Sequence, residues 1–179
     1  MKRLQLFTLG IILALAIDLY SYQVYAQDQI NWHSIEEVQN LAKNEPRMVF
    51  VDVYTDWCGW CKKMDATTFK DPKIIKQLNK NFYAVKLDGE GLETITFKDK
   101  PYKFVPQGRK GYHELAAVLM NGKMSYPTTV YLDEGLNLIQ PIAGYMTVES
   151  LEPILIFLGE AHYKNKTWEE FLAQNYTQN

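Results

Sequence analysis

Cys58 and Cys61 are the two cysteines of the chain, three residues apart in Trp57-Cys58-Gly59-Trp60-Cys61-Lys62. They directly follow the apolar run Met48-Val49-Phe50-Val51-Asp52-Val53-Tyr54. Residues three apart at a helix start share a face, with Cα atoms roughly 5 to 6 Å apart, inside the window a disulfide requires. The pair can close without moving the backbone. At that position the unpaired helix N–H groups and the macrodipole favour a thiolate on the first cysteine. Cys58 is therefore expected below the free-thiol pKa of about 8.5, and it is the candidate nucleophile. A purely structural bridge is a weak alternative, because two intervening residues constrain almost nothing in the unfolded chain.

Asp52 lies six residues before Cys58 in the apolar run. A carboxylate inside such a strand should have its pKa raised by desolvation, which suits a proton acceptor near neutrality; the competing reading is a partly exposed acid at a strand end. Pro127 precedes a strand-like run, where proline removes a ladder donor, so it belongs at a first residue or an edge. Lys62 and Lys63 read as a solvated helix face. His33, His113 and His162 have no mutual metal-ligand spacing, and two cysteines supply half of a tetrahedral zinc set, so no metal is expected. A copper carrier using both thiolates with a histidine or another soft ligand stays open as an alternative. So does a redox-inert binding domain.

Several elements must position these residues. Ser34 and Glu37 form a capping box for a helix over 34–44. The run 48–54 reads as a buried central strand with the cysteines at its C-terminal end, where open α/β sheets place their sites. A helix over about 58–69 follows, then one opened by Asp71-Pro72, and a strand over 82–88; strand, helix, strand implies a parallel, right-handed pair. Residues 89–111 are punctuated by Gly89, Gly91, Pro101, Pro106, Gly108 and Gly111. A small hairpin around Lys98-Asp99-Lys100 is expected there, in a stretch that is either functional or a solvated excursion. A helix over 112–120 stops at Asn121-Gly122, and a hairpin of 128–133 with 138–142 follows. The last elements are helices over 148–158 and after the Thr167/Glu170 cap.

Residues 1–26 read as a secretory signal, with Lys2 and Arg3, an apolar core and a cut after Ala26. An apolar run ending at Asp18 is shorter than the roughly 20 residues a spanning helix needs, which disfavours an uncleaved anchor. The expected domain is 27–179. The full chain is 47% hydrophobic, enough for one real core, and its formal net charge of −2 gives no reason to expect nucleic acid.

The element order and the residues Asp52, Trp57, Cys58, Gly59, Cys61 and Lys62, with Tyr126-Pro127-Thr128, resemble the thioredoxin family, specifically an exported thiol-disulfide oxidoreductase. The resemblance covers about 30–160. It implies an α/β thioredoxin fold, a central mixed sheet flanked by helices, with 89–111 inserted before the proline-led hairpin. It further implies that Asp52 is the buried acid beneath Cys61 and takes its proton. The Tyr126-Pro127 bond should be cis, facing the cysteines, with the Tyr126 backbone free to pair with an extended substrate. Trp57 would shield the disulfide; Trp60 and Gly59 would complete the client-binding rim. Trp60 stands where classical thioredoxins have proline, and Cys-Gly-Trp-Cys-Lys62-Lys63-Met64 looks more like the periplasmic subfamily that includes the C-terminal domain of the transmembrane electron transporter. The implied partners are protein disulfide or thiol clients and a membrane electron donor, and the implied location is the periplasm. The implied cofactor is none beyond the Cys58–Cys61 pair itself.

Overall fold

The computed structural model describes residues 29–176. The expected signal over 1–26 lies outside the described residues. A five-stranded sheet in the order β1-β3-β2-β8-β9 organises the chain. It comprises β1 (Trp32–His33), β2 (Met48–Tyr54), β3 (Phe82–Asp88), β8 (Thr128–Leu132) and β9 (Leu138–Ala143). The neighbours β1, β3 and β2 are parallel, whereas β8 and β9 run antiparallel, so the sheet is mixed.

The alternation of β2 assigns its two faces. Val49, Val51 and Val53 point to one side, into a core with Ile35 and Val38 of α1 (Ile35–Asn44) and Leu115 and Leu119 of α4 (Glu114–Leu119). Met48 and Phe50 point to the other, against Met64 of α2 (Gly59–Ala66), Ile74 and Leu78 of α3 (Pro72–Asn81), and Leu151 and Leu155 of α5 (Val148–Gly159). Period-two geometry puts Asp52 on this second face, under α2. A final helix, α6 (Trp168–Asn175), starts at the Thr167 capping box.

Three local differences from the sequence reading stand out. The helix after the cysteines ends at Ala66 and passes through a 3₁₀ turn, Thr68–Lys70, before Asp71 caps α3. The segment 89–111 holds two hairpins, not one: β4 (Ile95–Phe97) with β5 (Lys100–Tyr102), and β6 (Phe104–Gln107) with β7 (Lys110–His113). The second turns at Gly108, φ 62°. In consequence α4 begins at Glu114 rather than at residue 112. His113 ends β7, and its Nδ1 accepts the Leu115 N–H as the cap of α4. The helical spacing after Tyr112 could not reveal that the first two residues pair backwards with Val105 and Phe104.

Candidate active site

Cys58 is the N-cap of α2, and its Sγ accepts the Cys61 N–H at 3.1 Å. The two sulfurs are joined, with Cα atoms 5.3 Å apart. Both residues are buried, at 4% and 3% exposure, so accessibility does not separate nucleophile from resolving thiol. What separates them is position: Cys58 faces the free N–H groups of the first turn, and Cys61 lies within it. Above Gly59 an added Cβ would meet open space.

Asp52 is 1% exposed, which removes the reading of a strand-end acid. It lies opposite Lys86 in the parallel β2–β3 register. Lys86 Nζ donates to Asp52 Oδ2 at 2.7 Å and also pairs with Asp65 on α2. Asp52 Oδ1 finds no partner among the described residues. Burial pushes the Asp52 carboxyl above its ordinary value, against the pull of Lys86. Burial alone would lower the Lys86 ammonium, but Asp52 and Asp65 outweigh it and hold Lys86 above its usual value. The rings of Trp32, Tyr54 and Phe69 lie 4.9, 5.2 and 5.1 Å from the same ammonium. A cleft of about 280 Å³, lined in part by Trp32, Asp65, Phe69 and Lys86, lies beside the pair. An under-satisfied carboxylate with a raised pKa can take a thiol proton and return it.

The Tyr126-Pro127 peptide is cis, immediately before β8. The Pro127 carbonyl accepts the Gly144 N–H. Tyr126 is half-buried. Its hydroxyl donates to the Gly89 carbonyl at 3.4 Å, and its pKa is pushed up to about 12 by burial, then by Glu90 and Asp88. Trp57 is more than half exposed, so it shields its surroundings only partly. Its indole N–H donates to Glu90 Oε2 at 3.0 Å, its ring meets Tyr126 edge-on at 5.9 Å, and Lys110 Nζ sits 5.1 Å from its centroid. Trp60 is equally exposed and packs on Tyr145 at 5.4 Å, with Lys63 over both rings. Lys63 is thus more than a solvated face.

Sequence reasoning missed Lys86, Asp65, Glu90, Lys110 and Tyr145. Lys86 had a signal, since it is the fifth residue of its strand as Asp52 is of its own. The contacts of Glu90 and Lys110 with Trp57 cross long stretches of chain and leave no local pattern. Among the described residues no group of three or more His, Cys, Asp or Glu could hold a metal ion. Both ring nitrogens of buried His113 are engaged by backbone, Nδ1 by Leu115 and Nε2 by the Glu93 carbonyl.

The family model Thioredox_DsbH, described as "Protein of unknown function, DUF255", matches residues 16–170. The chain belongs to this family. A "Thiol:disulfide interchange protein DsbD" of Photorhabdus laumondii is 31% identical over 94 residues, 44% of this chain. That match spans only 16% of the relative's length. The fold is that of a thioredoxin-fold protein from Helicobacter pylori, with TM-score 0.57 and 17% identity over 83% of this chain and 87% of that one. It is likewise that of a thioredoxin from Thermus thermophilus, with TM-score 0.55 and 18% identity over 84% and 99%. As a member of this thioredoxin-like family, the chain carries Cys58-Gly59-Trp60-Cys61 as its Cys-x-x-Cys site.

Proposed function

We propose that this family member is a thiol-disulfide oxidoreductase that reduces protein disulfides outside the cytoplasm. The observation that carries the reading is the buried Asp52 with an unpaired carboxylate oxygen, on the sheet face that α2 covers, together with the bonded Cys58–Cys61 pair at that helix's start. The N-terminal run of residues 1–26 supports the location, and relatives named as thiol:disulfide interchange proteins support the chemistry.

In the reduced protein the Cys58 thiolate attacks one sulfur of a client disulfide, and the other client sulfur leaves as a thiolate that takes up a proton. A mixed disulfide now joins Cys58 to the client. Cys61 gives its proton to Asp52, directly or through a water, and its thiolate attacks Cys58 Sγ. The Cys58–Cys61 bond forms and the second client thiolate is released. Two electrons have passed to the client. The same steps reversed would oxidise a dithiol, and only the relative potentials decide. Trp57, Trp60 and the Tyr126 backbone frame the approach of the client.

The test pairs insulin reduction with trapping. The reduced wild type should precipitate insulin chains, Cys58→Ser should be inert, and Cys61→Ser should accumulate Cys58-linked mixed disulfides. Insulin reduction unaffected by Cys58→Ser would sink the reading.

A further inference from the structure

The second inserted hairpin has a hydrogen-bonded base and an arm that reaches the site. At the base, the His113 N–H donates to the Gly89 carbonyl at 2.7 Å, the Glu114 N–H to the Lys103 carbonyl at 2.9 Å, and the Lys103 N–H to Glu114 Oε2 at 2.8 Å. Within the arm, Phe104 lies across Gly111 so closely that an added Cβ would stand 2.1 Å from Cζ and 2.5 Å from the Val105 carbonyl. Near the turn, Lys110 is exposed and its ammonium sits over Trp57, next to the disulfide.

Lys63 places a second ammonium over Trp60, the other exposed tryptophan of the motif. Among the described residues neither ammonium is in ion-pair contact with a carboxylate. Glu90 directs Oε2 at the Trp57 N–H and makes no such contact with Lys110. Each tryptophan flanking the disulfide thus presents an aromatic surface with an available cation. A rigid exposed aromatic anchors a protein partner, and a cation beside it selects by charge.

Resting on the reductase reading, we infer that the β6–β7 hairpin is a client-selecting arm and that Lys110 is its specificity-determining residue, favouring protein disulfides flanked by carboxylates. Lys110 binds the client rather than acting on sulfur. Its contribution is greatest at low salt, because exposed charges are screened beyond about 8 Å at physiological ionic strength.

Two peptides with the same intramolecular disulfide, flanked by glutamates in one and by lysines in the other, would be reduced in single turnover by the full-length protein reduced beforehand and freed of reductant. The wild type should prefer the glutamate peptide in its second-order rate constant by about two- to fivefold, the worth of an exposed ion pair. Lys110→Arg should keep that preference and Lys110→Glu should abolish or invert it. High salt should erase it in the wild type. Gly111→Val, which must displace Phe104 and splay the arm, should weaken the preference in a protein whose circular dichroism confirms folding. Equal rates for the two peptides in the wild type, or an unchanged preference in Lys110→Glu, would overturn the inference alone. Failure of the wild type to reduce either peptide would instead bring down the reductase reading.

Discussion

At the scale of single residues the decisive group is Asp52, because its burial has a measurable consequence for both stability and rate. Its carboxyl titrates higher in the folded protein than in the unfolded chain, so folding favours the protonated form. Its contribution to stability is therefore greatest below the ordinary carboxylate range and is lost as pH rises through the raised value. Asp52→Asn removes that loss while leaving Lys86 its second partner, Asp65. The variant should melt higher at pH 7, by about 2–4 °C for each kcal/mol in a domain of this size, and its melting temperature should vary less with pH above the ordinary carboxylate range. The amide cannot accept a proton. Decay of a preformed Cys58 mixed disulfide should slow by about 10²-fold, whereas attack by Cys58 should keep its rate. An unchanged decay rate, read by quenched-flow mass spectrometry, would remove Asp52 from the proton path.

At the scale of elements, Gly89 is the joint between sheet, insertion and client face. Its N–H donates to the Tyr54 carbonyl, its carbonyl accepts from His113, and the Tyr126 ring fills the place of its missing Cβ, 2.4 Å from where that atom would be. Gly89→Ala must push Tyr126 aside and should cost about 1–3 kcal/mol by overpacking. In a Tyr126→Leu background the same change should cost less, a coupling that a double-mutant cycle in urea measures. The regular elements around this joint were legible because their signals are local. The Ser34 and Thr167 capping boxes, the Asp71-Pro72 start and the apolar β2 each depend on neighbours within a few residues. The cysteine pair and its strand context were legible for the same reason. The second hairpin was not, because its register is set by Phe104 packing on Gly111 and by the His113–Gly89 closure, both tertiary contacts. Lys86 stayed hidden because a lysine in a strand reads as solvent-facing, and only the aligned register pairs it with Asp52.

At the scale of the whole molecule, the sheet and its two helical layers deliver one cysteine pair to the C-terminal end of the central strand β2, with an aromatic rim and an inserted arm around it. Nothing in that geometry favours one direction of electron flow, since attack and resolution run both ways through the same sulfurs. Direction follows from the potential of the Cys58/Cys61 couple. The proposed reductase must hold its dithiol reducing enough to transfer electrons to clients. Equilibration of the protein with defined glutathione or dithiothreitol buffers, followed by alkylation and mass measurement, gives this potential directly. A value of roughly −200 mV or lower is expected, on the side of thioredoxin at about −270 mV. A value near about −120 mV, that of a strong periplasmic oxidant, would contradict it and make the same chemistry an oxidase.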